Sequence, residues 1–208
     1  MKRFLVLLAA AIAGGCAVGV KHPYQDVTPE LKYKVPGTVA VAVQDQRPYV
    51  VTGTKTEDFV GVQRGGYGNP FDVVTESGRP LAQEVQNSIA GALTRAGAKV
   101  VRVEAKPTTP QVEVRKQLVA TGANKSVLVT LRDWRVDSYV NVNLDHDVTL
   151  VVLGPGGQVL AMRELKGADR IGSSALNPVA ASIEAVRPAY QRKLEDLLAT
   201  PAVANALR

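Results

Sequence analysis

The most reactive side chains in this 208-residue chain are one cysteine, Cys16, and two histidines, His22 and His146. A cysteine can act as a nucleophile or an acyl acceptor, and a histidine can act as a general base or a metal ligand. His146 stands between Asp145 and Asp147 in the segment LDHDV, but neighbouring residues on a β-strand point to opposite faces. This spacing argues against a metal site, and we predict that the chain binds neither a metal nor a cofactor.

Two aspartates, Asp133 and Asp137, share one face of a predicted strand, as an acid–base pair for glycoside hydrolysis would require. Arg135 stands between them on the same face, which is typical of a solvated row of ion pairs. Trp134 points the other way and is predicted to anchor the core under a helix. The chain has no G-x-S-x-G segment, and its segment RGGYGNP lacks the Lys-Ser/Thr of a phosphate loop. We therefore predict no catalytic residue and no enzymatic activity.

Asp45 and Arg47 are the remaining candidates, in the segment QDQRP at the end of a predicted strand. Two interpretations stay open. The side chains share one side of the strand end, so they can form a salt bridge that holds the strand exit against the segment that follows. They can also receive the charge of a ligand or partner, because loops gather at the ends of strands in α/β sheets.

Residues 1–15 have the pattern of a secretory signal peptide. Two basic residues precede nine apolar ones (4–12), and three small residues (13–15) follow. The apolar run is too short for a helix across a bilayer core of about 30 Å. Cleavage after the small residues would leave Cys16 as the first residue of the mature chain.

The segment AGGC, which ends at Cys16, resembles the lipobox of bacterial lipoproteins. The resemblance implies that Cys16 carries acyl chains, such as palmitate, and anchors the protein to the lipid bilayer. Ala17, rather than aspartate, implies sorting to the outer membrane, with the domain facing the periplasm. One acyl chain binds a membrane only marginally, so several chains are needed to hold a protein firmly. An acylated Cys16 leaves no thiol for a disulfide, so the core alone must stabilise the domain.

The charge distribution predicts no nucleic-acid binding. The formal net charge is +6, but the arginines are not clustered and interleaved with aromatic residues, as they are in most nucleic-acid binding surfaces. A mild basic excess suits an anionic lipid surface or a cell-wall polymer.

Residues 16–37 contain three prolines and no periodic pattern, which predicts a flexible tether carrying the lipidated cysteine. A single periplasmic domain, residues 38–208, is expected to follow. It opens with a buried strand, TVAVAVQDQRP, in which valines alternate with small residues. The remaining spacing predicts helices near 80–97, 110–122 and 177–198, a strand at KVVRV, and a three-strand meander between 126 and 167.

A glycine-rich stretch lies between Tyr49 and Gly78, with six glycines and four aromatic residues. The apolar runs FVGVQ and PFDVV flank RGGYGN, which predicts a β-hairpin with a glycine-rich tip. We predict that this hairpin protrudes and that Phe59, Tyr67 and Phe71 contact a partner, because aromatic residues are enriched in interface hot spots. The alternative is that these rings cover an open end of the core.

The order of elements predicts an α+β fold with two layers. We expect a mixed β-sheet of about five strands, with helices mainly on one face and the glycine-rich hairpin protruding from it.

The segments VAVQDQR and LAQEVQNSIAGALTRAGAKV, with the meander and the amphipathic helix after it, resemble the YajG-like outer-membrane lipoproteins. This resemblance implies a fold and a location more than an activity. We therefore expect a non-enzymatic, membrane-anchored binding or envelope-assembly module with an envelope protein as its partner. The alternatives are an auxiliary lipoprotein of an envelope transport system, which handles lipid or substrate, and, least favoured, an envelope hydrolase.

Overall fold

The computed structural model describes residues 19–208, which form eight strands and five helices. The predicted signal peptide and Cys16 lie outside the described residues. The strands are β1 (Lys21–His22), β2 (Thr38–Asp45), β3 (Phe59–Arg64), β4 (Pro70–Thr75), β5 (Lys99–Arg102), β6 (Lys125–Ser138), β7 (Asn141–Leu153) and β8 (Val159–Ser173). The helices are α1 (Pro48–Val51), α2 (Leu81–Arg95), α3 (Gln111–Ala120), α4 (Pro178–Leu198) and α5 (Pro201–Leu207).

The long strand β6 is the centre of the sheet, because other strands pair along both of its edges. One edge pairs in parallel first with β2, up to Leu131, and then with β3, from Val136 onward. The other edge pairs antiparallel with β7, and β8 follows β7. β5 lies outside β2, and β4 and β1 lie outside β3. The sheet is mixed, as predicted, and it is open and curled, but it has eight strands rather than about five.

The larger part of the core lies on one face of the sheet. Alternation along β2 places Val39 and Val41 on this face, in one apolar cluster with the buried sides of α2, α4 and α5. The small side chains of Ala40 and Ala42 point to the other face, where α3 packs on them through Leu118. Three helices therefore share one face and α3 covers part of the other. Among residues 19–208, no helix has both the length and the apolar character that crossing a membrane requires.

The segment that we expected to be a flexible tether is packed against the domain from Val20 onward. Tyr24 and Val35 are completely buried, and β1 extends the sheet by pairing with β4. Trp134 of β6 donates a hydrogen bond from Nε1 to the hydroxyl of Tyr24 at 2.9 Å, and both rings meet Tyr190 of α4 edge to face. Trp134 is thus a core anchor, as predicted. The expected tether was wrong because a few isolated apolar side chains, without any periodic pattern, are enough to fix this segment.

The glycine-rich stretch is also part of the sheet and not a separate protrusion. Its strands β3 and β4 pair antiparallel, but β3 also pairs with β6 and β4 also pairs with β1. Gly61 makes the close approach to β6 feasible, because a Cβ atom there would lie 2.1 Å from the carbonyl oxygen of Val136. Only the connection 65–69 extends beyond the paired strands.

We expect the stability of the domain to depend on pH through His22. This side chain is fully buried, its Nε2 lies 3.2 Å from Oγ of Ser182, and burial lowers its pKa to about 4. In the unfolded chain His22 takes up a proton near pH 6.5, whereas in the folded chain it stays neutral down to about pH 4. The free energy of unfolding is therefore highest above pH 6.5 and falls as the pH drops toward 4. The loss is about 3 kcal/mol at the lower end.

Urea unfolding of the wild type and of His22→Gln at pH 7.5, 6, 5 and 4.5 measures this effect. The amide of glutamine can still meet Ser182 but does not titrate, so the variant should lose distinctly less stability between pH 7.5 and 4.5. Equal losses in the two proteins would show that His22 does not carry the dependence.

Candidate functional site

Asp45 and Arg47 form a buried ion pair. Arg47 is completely buried and Asp45 is 1% exposed. The guanidinium donates from Nε and Nη2 to the two carboxylate oxygens of Asp45, at 2.8 and 2.6 Å. Nη1 donates to the carbonyl oxygens of Phe59, at 2.6 Å, and Trp134, at 3.4 Å, and Nη2 donates to that of Glu57, at 3.1 Å. These five bonds use all five N–H groups of an arginine side chain.

The electrostatics of this pair explain why Arg47 stays charged. Burial opposes the charge, but the hydrogen bonds and the negative charge of Asp45 outweigh it and raise the pKa of Arg47 above its ordinary value. Because both side chains are buried, neither can touch a partner in this structure. Of the two interpretations from the sequence, the structural salt bridge is correct, and the prediction of direct partner contact at Asp45 and Arg47 is wrong.

The ion pair sits where the edge of β6 changes partners. β2 leaves this edge at Leu131 and β3 joins it at Val136, so the carbonyl of Trp134 lies in the gap between them. Arg47 fills the gap from the end of β2, and the hydroxyl of Tyr49 donates to the same carbonyl oxygen at 3.2 Å. The guanidinium therefore replaces strand-to-strand hydrogen bonds and joins β2 to the start of β3.

The two glutamines of QDQR hold a second segment. Gln44 donates from Nε2 to the carbonyl oxygens of Lys106, at 3.2 Å, and Thr109, at 2.5 Å. Gln46 donates from Nε2 to the carbonyl oxygen of Pro107 at 2.5 Å. The four residues of QDQR thus fix two segments that are distant in sequence: the entry to β3, through Arg47, and the loop after β5, through the glutamines.

A cleft of about 860 Å³ lies between these two segments. It opens at the carboxyl ends of the parallel strands β2 and β5. The chain leaves β5 for α3 on one face of the sheet, while α2 lies on the other face, and such a divergence leaves a crevice in which α/β proteins bind ligands. The cleft is lined by Val43, Val50 and Glu57, by Pro80, Ala82, Gln83 and Gln86 near the start of α2, and by residues 102–108.

The cleft carries four charged side chains, Glu57, Arg102, Glu104 and Lys106. All four are exposed, and among residues 19–208 none of them takes part in an ion pair. Two acids and two bases beside the apolar side chains of the cleft suit a ligand that has both charges and an apolar part. No histidine, cysteine or serine is among the described residues that line it.

The three aromatic residues expected at a partner interface are not brought together. Phe59 is buried and packs edge to face on Tyr49, so its prediction as a contact residue is wrong; this ring covers the core. Phe71 is half-buried. Tyr67 alone is fully exposed, in the connection between β3 and β4.

The row of ion pairs predicted for β6 forms only in part: Asp137 and Arg135 each take part in one, and among residues 19–208 Asp133 takes part in none. Asp137 accepts two hydrogen bonds from Arg64, at 2.5 and 2.8 Å, and Asp145 accepts one from Arg135 at 2.9 Å. Burial raises the pKa of Asp133, which accepts a hydrogen bond from the hydroxyl of Tyr49. His146 is buried on the opposite face of the sheet, and in the described part of the chain no cluster of His, Cys, Asp and Glu could hold a metal ion.

The comparisons with known proteins concern the fold. No family model and no curated protein matches the chain. A DUF330 protein from Xanthomonas campestris has a similar structure, with a TM-score of 0.52 over 86% of this chain and 92% of that chain, at 13% identity. A hypothetical protein from Chlamydia trachomatis gives a TM-score of 0.45 over 82% and 97% of the two chains, at 14% identity. The lipoprotein GNA1162 from Neisseria meningitidis gives 0.29 over 76% and 99%, at 11% identity.

At 13% identity the first of these matches shows a shared fold and nothing about activity. The other two are too dissimilar in structure to support a conclusion. The resemblance to the YajG-like lipoproteins therefore still rests on the sequence segments quoted above and stays a prediction.

If the ion pair holds the sheet together at the gap, Asp45→Asn should lower the free energy of unfolding by about 3–5 kcal/mol, because it leaves a buried guanidinium without its counter-charge. The matched control is Asp145→Asn, which breaks the exposed pair with Arg135, whose two side chains are 46% and 32% exposed. That change should cost about 0–1 kcal/mol. Urea denaturation measures both, and similar costs for the two variants would contradict this role of the buried pair.

Proposed function

We propose that this protein is a lipid-anchored binding module of the bacterial envelope, which binds its partner in the cleft and performs no chemistry. The observation that carries the proposal is the cleft itself: QDQR holds its two walls, and its charged side chains are exposed and form no ion pair with any of residues 19–208. A site of this kind can recognise a ligand without any residue acting as acid, base or nucleophile.

The anchor is supported by the N-terminal sequence together with the start of the packed domain. The basic residues, the apolar run and AGGC precede Cys16 or end at it, and the chain is packed from Val20 onward. The domain therefore begins four residues after the cysteine, which suits a globular part held directly at a membrane. Outer-membrane sorting, implied by Ala17, belongs to the same proposal.

The apolar lining of the cleft also fits the role of an auxiliary lipoprotein that handles lipid beside a transporter. Val43, Val50 and Ala82 lie next to the charged side chains, as the tail and head of an amphipathic molecule would require. An envelope protein segment with apolar and charged side chains fits the same surface. The identity of the adduct in the crosslinking experiment below distinguishes these partners.

The anchor is tested by metabolic labelling with an alkyne fatty acid. We expect the wild-type protein to be labelled and to sediment with membranes, and Cys16→Ser to be unlabelled and to remain as precursor or soluble protein, because acylation needs the sulfur. Fractionation of inner and outer membranes locates the labelled protein. Label that persists on the Cys16→Ser protein would refute the anchor at this residue.

The cleft is tested by a photo-crosslinking amino acid at position 83, on the first turn of α2, with position 116 on α3 as the exposed control. We expect a defined adduct in intact cells from position 83 and none from position 116. The combined change Arg102→Ala and Lys106→Ala, which removes the positive side chains, should reduce the adduct several-fold. Mass spectrometry then shows whether the adduct is protein or lipid.

The proposal of a binding cleft is abandoned if both positions give the same adducts, or if the adduct from position 83 is insensitive to the removal of both positive side chains.

A further inference from the structure

Three connections meet at one end of the sheet, at the carboxyl ends of β3, β6 and β8. They are residues 65–69, 139–140 and 174–177, which we call the apical loops. The hydroxyl of Tyr139 donates to the carbonyl oxygen of Gly66 at 3.2 Å. The backbone N–H of Ser174 donates to the carbonyl oxygen of Val140 at 2.9 Å. These bonds make the three loops one continuous surface.

The apical loops expose large apolar side chains. Tyr67 and Leu176 are 103% and 99% exposed, and Tyr139 and Val140 are 44% and 46% exposed. The sequences of the loops, GGYGN, YV and SALN, contain no charged residue. Contact with an apolar phase would therefore remove apolar surface from water without desolvating a charge from these loops.

The chain enters β1 from the end of the sheet at which the apical loops lie. β1 is parallel to β4, which runs away from the apical loops, and Lys21 lies level with Phe59 across the sheet. From Phe59 to the end of β3 is five residues, about 17 Å at about 3.4 Å per residue. Cys16 is five residues before Lys21, and an extended chain of that length reaches about 17 Å. An anchor at Cys16 can therefore lie level with the apical loops.

We propose that the apical loops rest on the bilayer that holds the acyl chains of Cys16, with Tyr67 and Leu176 in the interfacial layer. This inference rests on the proposed lipid anchor. Tyrosine is enriched at membrane–water interfaces, where its ring meets the acyl region and its hydroxyl stays hydrated. An acylated cysteine close to the domain and the inserted loops together fix the orientation of the domain on the bilayer. Acyl chains at the end of a long tether would leave this orientation free.

The orientation has a consequence for the cleft. β2 ends level with Leu131, seven residues before the end of β6 at Ser138. The cleft thus lies on the membrane-facing side of the β2–β5 pair, set back from the apical loops by about 23 Å along the strands.

Depth-dependent fluorescence tests the orientation in the acylated protein. Leu176→Cys, Tyr67→Cys and the control Met162→Cys each add one thiol for an environment-sensitive fluorophore. Met162 is 62% exposed but lies on β8 eleven residues before its end, about 37 Å from the loops. The labelled proteins are reconstituted in vesicles of phosphatidylethanolamine and phosphatidylglycerol, with or without brominated acyl chains.

We expect the labels at 176 and 67 to be shifted to the blue and to lose most of their fluorescence in brominated vesicles, whereas the label at 162 keeps its fluorescence. Labels at 176 and 67 that respond to brominated lipid no more than the label at 162 would overturn the proposal. The proposal is also overturned if a protein shields these labels from an aqueous quencher in cells, while brominated lipid in pure vesicles does not quench them.

The wild-type protein keeps this test distinct from a test of the anchor. An acylated Cys16 has no free thiol, so the mature wild type should take up no maleimide label. If it is labelled, the lipid anchor fails and the orientation fails with it; if it is not labelled and the fluorophores stay in water, the orientation alone is refuted.

Discussion

A buried guanidinium holds this fold together at the point where the sheet would otherwise divide. Burying an arginine is costly unless its charge is paired and each N–H group finds an acceptor. Arg47 meets both conditions through Asp45 and three backbone carbonyls. Because those carbonyls belong to β6 and to the residues that enter β3, one side chain fixes the relative positions of both parts of the sheet.

The proposed functions depend on this junction. β6 is long enough to pair with β2 in its first half and with β3 in its last residues, so one strand serves two groups of strands. The first group ends early and leaves the cleft, whose walls QDQR holds from both sides. The second group continues to the apical loops, and the chain enters β1 from the direction of these loops. The proposed ligand site and the proposed membrane contact therefore lie in the same direction along the strands, with the cleft set back from the apical loops.

Elements with strong local patterns could be predicted from the sequence. The alternation of valine and alanine identifies β2, the spacing from Leu81 to Leu93 identifies α2, and the alternation around Trp134 places this ring in the core. Contacts between distant segments could not be predicted in this way. The burial of Tyr24 depends on rings of β6 and α4, and the burial of Phe59 depends on the pairing of β3 with β6. The motif QDQR was recognised as a candidate, but the cleft that it shapes is lined by irregular segments with no pattern of their own.

The central claim is that Arg47 fixes the entry to β3, while the glutamines fix the loop after β5. Hydrogen–deuterium exchange of Arg47→Lys, measured by mass spectrometry, tests it directly. The lysine ammonium has three N–H donors and cannot replace the five N–H donors of the planar guanidinium. We expect faster exchange in peptides covering residues 57–64 than in the wild type, little change in residues 104–110, and no change anywhere in the exposed control Arg135→Lys. Unchanged exchange in residues 57–64, or equal acceleration throughout the domain, would contradict it.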